Sequence, residues 1–241
     1  MIVYGRNAVE EALKGPRTVR TIWATTGAQK EPWLRTAGVP VNSQSGEEIA
    51  ARCDSEGHQG ICADVSEYHY LEGEALLEGR GREIAGGDRR PAAPLIIALD
   101  QVQDPQNLGA IARTAECAGA AGLVLPERRA AEVTPAVCKA SAGAVEHLPL
   151  AQVRNLTDFL NAAKARDFWV YGADGEADMD YRAVDFSGPV VLVMGSEGKG
   201  LRPRVASACD ALISLPLRGQ MESLSVGAAA AVLLYAAAVQ R

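Results

Sequence analysis

The pattern of apolar and polar positions changes character about seventy residues into the chain. Before that point, segments with apolar residues at helical spacing alternate with short segments of strand character. The helical segments are "NAVEEALK", "EPWLRTAG" and "GEEIAARCD", and the strand segments are "VRTIWAT", "VPVNS" and "GICADVSEY". This alternation predicts a small α/β domain in which helices cover a sheet.

The second region, residues 94–241, has strands that are apolar along their whole length and are separated by helices. Such strands are typical of a parallel sheet that is covered on both faces, so an α/β domain is predicted. Asp104 and Pro105 suit the N-cap and first position of one helix, and the last helix is expected from about Ser223 onward. The predicted strands are "PLIIALD", "GLVLP", "FWVYGAD", "PVVLVMG" and "ALISLPL".

The stretch between the two regions, residues 72–93, differs from both. It reads "EGEALLEGRGREIAGGDRRPAA", is rich in glycine, arginine and acidic residues, and has no sustained period. Such composition is typical of a linker, here with a mobile tip around Gly86–Gly87. The predicted domains are therefore residues 1–71 and residues 94–241.

Composition narrows the classes of partner. The formal net charge is −6, so any contact with nucleic acid depends on local clusters of arginine and lysine. The five cysteines are scattered and form no C-x-x-C motif, and the three histidines lack metal-ligand spacing, so neither disulfides nor a metal site is expected. The chain shows no signal peptide, and its longest apolar run is too short and alanine-rich for a membrane span, so a cytoplasmic protein is expected.

Three polar loops follow predicted strands. In the first, Asn107 and Arg113 lie near the start of a helix, where an anion or an RNA phosphate could bind. The alternative is that Asn107 assists the cap and Arg113 is a solvated surface charge. In the third loop, "LRGQMESLSVG", the serines could line a pocket or only cap the helix that follows.

The second loop ends the segment "VVLVMGSEGKG", residues 190–200. A phosphate-binding loop is excluded because its register places Val193 and Gly200 where glycine and a hydroxyl are required. The dinucleotide pattern fails too, since Glu197 follows Ser196. What remains is a buried strand that ends in a turn exposing backbone N–H groups and one carboxylate, with or without a ligand. Because strand ends of α/β sheets collect ligands, the three loops together predict one pocket.

Three segments resemble, in order, the motifs of the SpoU/TrmH family of RNA ribose 2′-O-methyltransferases, of the SPOUT class. They are "DPQNLGAIARTAECAGAAGLVLP", "LVMGSEGKGL" and "ISLPLRGQMESLSVGAAAAV". "YGRNAVEEAL" and "HQGICADV" resemble the family's N-terminal RNA-binding domain, which is similar to the ribosomal L30e fold. Within the family, the likeness is greatest to the RlmB-type enzymes that act on 23S ribosomal RNA.

The resemblance implies a fold and a set of partners. The C-terminal domain would carry a deep trefoil knot, S-adenosylmethionine would bind in the knot, and the enzyme would be a homodimer acting on structured RNA. Two alternatives are a non-catalytic RNA-binding paralogue and a tRNA 2′-O-methyltransferase on the same fold.

Residue roles follow from matching the motifs. Positions that match contacts to the methyl donor, or lie in the same loop, are Gly195, Leu215, Leu217, Gly219 and Leu224. Positions that match the polar residues around the reacting ribose are Asn107, Arg113, Glu197, Ser223 and Ser225. The chain departs from the family here, because "SLSVG" stands where the family usually has Ser-Leu-Asn-Val-Ser, so Ser225 replaces an asparagine. Candidate phosphate contacts in the N-terminal domain, which could instead be solvated charges, are Arg6, Arg17, Arg20 and Lys30.

Overall fold

The computed structural model describes residues 1–79, 93–221 and 223–241. The tip predicted around Gly86–Gly87 lies outside the described residues. None of the helices in the described part of the chain combines the length and hydropathy needed to cross a bilayer.

The N-terminal domain is the predicted small α/β layer. Its four-stranded sheet has the order β1-β4-β2-β3, in which only the β2–β3 pair is parallel. The strands are Ile2–Tyr4 (β1), Val19–Ala24 (β2), Val41–Ser43 (β3) and Ile61–Val65 (β4), and the helices are Arg6–Lys14 (α1) and Gly46–Cys53 (α2). The segment "EPWLRTAG", predicted as a short helix, forms a 3₁₀ helix at Pro32–Thr36.

The C-terminal domain contains an eight-stranded parallel sheet of order β10-β12-β9-β11-β6-β7-β8-β5. The strands are Leu71–Glu72 (β5), Leu95–Leu99 (β6), Gly122–Pro126 (β7), Leu150–Val153 (β8), Trp169–Ala173 (β9), Met179–Asp180 (β10), Val190–Met194 (β11) and Ala211–Ser214 (β12). The helices are Gly73–Leu77 (α3), Pro105–Cys117 (α4), Pro135–Ala140 (α5), Leu156–Lys164 (α6), Pro203–Ala206 (α7) and Val226–Ala238 (α8). The α/β class and the parallel sheet predicted from the pattern are confirmed.

The uniform hydrophobicity of the central strands is explained by burial on both faces of the sheet. In β11, Val190, Leu192 and Met194 pack into one core, and Val191 and Val193 pack into the other. The first core continues into the N-terminal domain, because it also contains side chains of β2 and β4. The two domains therefore share apolar packing.

The predicted linker begins with regular structure. Leu71 and Glu72 pair in parallel with Ala151 and Gln152, which makes β5 the edge strand of the large sheet. Helix α3 follows directly and buries Leu76 and Leu77 in the second core. Residues 72–77 thus form regular structure where a linker was predicted, because α3 packs on α6 and β8, which are distant in the sequence.

A buried ion pair joins the two domains. The guanidinium of Arg17 donates from Nε to Oε2 of Glu146 at 2.9 Å and also contacts Oε1, and the two side chains are 5% and 0% exposed. A second guanidinium nitrogen donates to the carbonyl of Ser66. Burial lowers the pKa of Arg17, but the hydrogen bond to Glu146 raises it, and the pKa lies above its ordinary value. The expectation that Arg17 contacts RNA is therefore corrected, because its cation is enclosed and paired.

Two further contacts reinforce this junction. Nε2 of His147 lies 2.7 Å from Oε2 of Glu11, and the Tyr68 hydroxyl donates to the carbonyl of Val145. Both contacts join a residue of the N-terminal domain to the 3₁₀ turn Ala144–Glu146 or to His147, which follows it. The N-terminal domain is thus held against α5 and this turn rather than connected by the linker alone.

The substitution Glu146→Leu is expected to lower the free energy of unfolding by about 3–5 kcal/mol, because it leaves the Arg17 cation buried without a partner. The double variant Arg17→Met, Glu146→Leu should recover much of this loss, since an apolar pair carries no desolvation cost. Chemical denaturation measures both. As a control, Glu31→Leu removes the partly exposed partner of Arg6 and should change stability by less than about 1 kcal/mol. Equal effects of the buried and exposed substitutions would contradict this account.

Candidate active site

A cavity of about 440 Å³ opens at the carboxyl ends of three adjacent strands, β9, β11 and β12. We call it the donor cavity. Its volume lies within the range of about 300–1,000 Å³ that is usual for small-molecule sites. Of the five residues predicted to contact the donor, the lining includes Gly195, Leu215, Leu217 and Leu224. Gly219 is not among the lining residues, so its role stays a prediction.

The loop after β11 is closed by main-chain contacts. Ser196 and Gly200 exchange two backbone hydrogen bonds of 3.1 and 2.9 Å, which fold residues 196–200 into a tight turn. A Cβ atom placed on Gly195 would lie 2.2 Å from the carbonyl carbon of Gly200 and 2.5 Å from the nitrogen of Leu201. Glycine at 195 is therefore required for the backbone to pass this closely.

A buried carboxylate anchors the far end of the same loop. Asp100, at the end of β6, is fully buried and accepts from the backbone N–H of Arg202 at 2.8 Å and from its Nε at 2.7 Å. The Asp100 N–H donates in turn to the carbonyl of Met194. The motif comparison did not single out this pair, whose only sequence signal is an acidic residue directly after a buried strand.

The apolar side chains of the donor cavity suit a flat aromatic ring. Ile213, Leu215, Leu217 and Leu224 supply the apolar surface, and the turn at Gly195 supplies backbone groups that can hydrogen-bond a base. A few polar groups set in an apolar wall are typical of a nucleoside pocket. These residues therefore fit the adenosine part of S-adenosylmethionine.

The loop after β9 forms a further wall that the sequence analysis missed. Ala173, Asp174 and Gly175 line the donor cavity beside the residues predicted for it. Asp174 adds a carboxylate, which suits a ligand that carries positive charge. The sequence did contain one signal for this wall, because the loop follows an apolar strand that was predicted for the same sheet.

A hydrogen-bonded group connects the first and second polar loops. The Asn107 side-chain amide donates to Oε1 of Glu197 at 3.2 Å, and the backbone N–H of Val226 donates to the same oxygen at 3.3 Å. Asn107 is placed here because α4 begins as predicted, with the Asp104 side chain capping the N–H of Gln106. Glu197 thus contacts the start of both α4 and α8, although the three residues lie far apart in the sequence.

A second, polar cavity of about 250 Å³ adjoins the donor cavity and shares Ser196, Glu197 and Val226 with it. We call it the polar cavity. Its other lining residues come from the loop after β6, from α4 and from the turn after β11. The Glu197 carboxylate therefore lies between a mainly apolar cavity and a polar cavity.

The two predicted serines both line the donor cavity. Ser225 is the N-cap of α8, since its hydroxyl accepts from the N–H of Ala228 at 3.2 Å. A capping function and a place in the cavity therefore coexist at Ser225. The last helix begins at Val226 rather than at about Ser223, which leaves Ser223 in the extended loop before the cap.

Arg113 is not brought to this group within the chain. It lies six residues beyond Asn107 on α4, about 9 Å farther along the helix axis, and its side chain is exposed. It lines neither the donor cavity nor the polar cavity. Its predicted contact with the ribose or an RNA phosphate stays a prediction.

The remaining candidates for RNA contact are exposed. Arg6 pairs with Glu31 and Arg20 pairs with Asp64, and about half of each arginine side chain remains accessible. Lys30 is also exposed. Within the described residues, no group of three or more histidine, cysteine or acidic side chains is arranged to hold a metal ion.

The substitution Gly195→Ala is expected to lower the affinity for S-adenosylmethionine at least about tenfold, because the added methyl group forces the loop apart. Isothermal titration calorimetry measures the affinity, and thermal unfolding shows whether the variant is folded. Gly188→Ala is the matched control, since nothing lies within 4 Å of a Cβ at that position. A folded Gly195→Ala variant with wild-type affinity would contradict the role assigned to this turn.

Two models of known protein families match the chain. The sequence model of the SpoU rRNA Methylase family matches residues 94–235, which is more than half of the chain. The model described as "RNA 2'-O ribose methyltransferase substrate binding" matches residues 2–71.

Curated relatives match along nearly the whole chain. The 23S rRNA (guanosine-2′-O-)-methyltransferase RlmB of Pseudomonas putida is 39% identical over 99% of this chain and 96% of its own length. The enzyme of the same name from Pseudomonas syringae pv. tomato is 40% identical over 99% of this chain and 95% of its own.

The fold also matches solved structures. The AdoMet-bound rRNA methyltransferase from Sinorhizobium meliloti has a TM-score of 0.75 and 27% sequence identity, over 98% of this chain and 85% of that chain. The trefoil knot expected for the C-terminal domain stays a prediction. The chain therefore belongs to the SpoU family of S-adenosylmethionine-dependent RNA methyltransferases.

Proposed function

We propose that this enzyme methylates the ribose 2′-oxygen of a guanosine in 23S ribosomal RNA. The observation that carries the proposal is the pair of adjoining cavities that share Glu197, one suited to an adenosine and one to a sugar-phosphate. The choice of 23S RNA is supported by relatives of that activity at 39% and 40% identity over 99% of the chain.

The chain's own residues would hold and orient the two reactants. When bound, S-adenosylmethionine supplies an electrophilic methyl group on a positively charged sulfur. With the donor bound, the leucine-lined wall would exclude water, and a dry pocket favours a reaction in which charge is neutralised. Glu197 orients the Asn107 amide and the start of α8, and this positioning of the acceptor supplies much of the rate.

Arg113 is assigned a binding role in this proposal. An arginine side chain keeps its proton in proteins, so using it as the base that removes the 2′-hydroxyl proton is costly. Its fork of N–H donors instead suits a backbone phosphate, which it would clamp while orienting the hydroxyl. The proton would pass to phosphate or to water.

We further propose that the enzyme acts as a homodimer in which the second copy covers α8. This helix, "VGAAAAVLLYAAA", carries no charged residue, yet only one side of it is buried. Its outer side exposes Val232 by 41% and Tyr235 by 50%, and Val239, the residue that caps its C-terminus, is 80% exposed. A helix that is apolar all round is normally buried on all sides. Arg113 is exposed on α4, the helix against which α8 packs, so a copy seated here could receive this arginine at its own polar cavity.

A tRNA substrate is the alternative within the same chemistry, and an RNA-binding paralogue without activity is the alternative outside it. Ser225, in place of the family's asparagine, is the feature that favours the paralogue. Its hydroxyl is used in capping α8, which explains its presence without catalysis. Both alternatives are separated from the proposal by the next experiment.

Mapping of 2′-O-methylation with and without the protein is expected to show one guanosine of 23S RNA that depends on it. Wild-type enzyme should restore the mark, whereas Glu197→Gln should lower kcat about 10²-fold, because the acceptor group is misplaced. Loss of a tRNA mark alone would identify the tRNA alternative. No change in any RNA, together with no binding of S-adenosylmethionine, would identify the paralogue.

Mixed dimers test where Arg113 acts. Arg113→Ala and Glu197→Gln are each expected to be nearly inactive. If Arg113 serves the partner's site, an equal mixture that exchanges subunits regains about a quarter of wild-type activity, because half of the dimers then contain one intact site. If it serves its own chain, the mixture stays inactive. A monomer in sedimentation experiments would contradict the proposed assembly altogether.

A further inference from the structure

The polar cavity lies against a basic loop that none of the matched motifs includes. Strand β7 ends at Pro126 and is followed by Glu127, Arg128 and Arg129. The loop folds back on the segment after β6, because the N–H of Ala131 donates to the carbonyl of Val102 at 2.9 Å. The β7 loop is therefore attached to the segment that leads into α4 and Asn107.

A second hydrogen bond ties the loop to the wall of the polar cavity. The Gln103 side chain, which lines this cavity, donates from Nε2 to the carbonyl of Arg129 at 3.4 Å. On the other side of the same cavity, Lys199 lines it from the turn after β11. Cationic side chains thus originate on two sides of the space that would receive the acceptor nucleotide.

The two tethered segments share an unusual backbone conformation. Gln101 has φ 63° and Arg129 has φ 60°. Both lie in the left-handed region, which residues other than glycine, asparagine and aspartate rarely adopt. Residues held in such conformations cluster at sites that bind ligands. Here Arg129 accepts the hydrogen bond from Gln103, and Gln101 lines the polar cavity two residues before Gln103.

The charges of this region are left available to a ligand. Among the described residues, no carboxylate lies within 4.0 Å of the side-chain nitrogens of Arg128, Arg129 or Lys199. By contrast, Arg17 is buried with Glu146, and Arg6 and Arg20 each have an acidic partner.

Acidic groups near the polar cavity are already engaged. Asp104 accepts from the N–H of Gln106, and Glu197 accepts from Asn107 and Val226. Glu127 and Glu132 flank the arginine pair and moderate its field without pairing with it at this distance. In a chain whose net charge is −6, RNA requires such local clusters.

We propose that Lys199 and the pair Arg128–Arg129 form a phosphate-binding site for RNA, and that they hold the backbone on the two sides of the target nucleotide. This inference rests on the proposed function, since it takes the polar cavity as the place of the acceptor ribose. Arginine can contact a phosphate through two parallel N–H groups, whereas Lys199 acts as a point charge. The site would place the strand, and the identity of the base would be read elsewhere.

The test compares RNA affinity and its dependence on salt in two variants, Lys199→Gln and the double variant Arg128→Gln, Arg129→Gln. The probe is the in vitro transcribed 23S RNA segment that the mapping identifies, or total ribosomal RNA if none is found. Each variant should bind RNA about tenfold more weakly, and the slope of log affinity against log salt should fall by about one for each lost phosphate contact. Affinity for S-adenosylmethionine should stay at the wild-type value.

Controls separate this inference from general charge effects and from the proposed function. Arg166→Gln removes an exposed cation that follows α6, away from both cavities, and should leave RNA affinity and salt slope unchanged. Lys199→Arg should keep the salt slope of the wild type. Variants that bind RNA like the wild type, or that lose S-adenosylmethionine instead, would overturn the inference while leaving the methyltransferase assignment intact. Failure of the proposed 23S target would appear in the wild-type mapping, independently of these variants.

Discussion

The donor cavity depends on one close approach of the main chain. At Gly195 the backbone passes so near Gly200 and Leu201 that no side chain fits between them. The buried Asp100 carboxylate holds Arg202, so the loop is fixed at both ends by groups of the adjacent strands β6 and β11. Because the wall is made of backbone groups in a fixed turn, it can bind an adenosine without the side-chain reorganisation that would weaken binding.

Glu197 divides the site into two environments. On one side are the apolar residues of the donor cavity, and on the other are the side-chain amides and Lys199 of the polar cavity. A single carboxylate oxygen receives hydrogen bonds from Asn107 and from the first residue of α8, so it couples the two helices that border the site. The same small group therefore borders both cavities, and under the proposed function it would position donor and acceptor relative to each other.

The N-terminal domain is oriented by its own buried chemistry. The ion pair of Arg17 and Glu146, with the contact of His147 and Glu11, attaches it to the turn that follows α5. Helix α5 packs in turn on α4, so a continuous set of contacts leads from the RNA-binding domain to Asn107. A cation predicted to hold substrate thus holds the two domains together instead, and the exposed Arg6, Arg20 and Lys30 keep the candidate role.

The sequence by itself determined the two α/β regions, the parallel sheet and the start of α4, and it indicated four residues that line the donor cavity, because hydrophobic period, capping residues and loop motifs are local properties. It could not locate Arg17, Leu76 or Asp174 in the fold. A surface charge and a buried charge can have the same sequence pattern, and so can a linker and an edge strand. Only the tertiary structure decided these, along with the separation of Arg113 from Glu197 and the hydrogen bond that attaches the β7 loop to Gln103 in the wall of the polar cavity. Burial, ion pairing and shared cavities depend on which distant segments meet, and that is set by packing of the whole sheet.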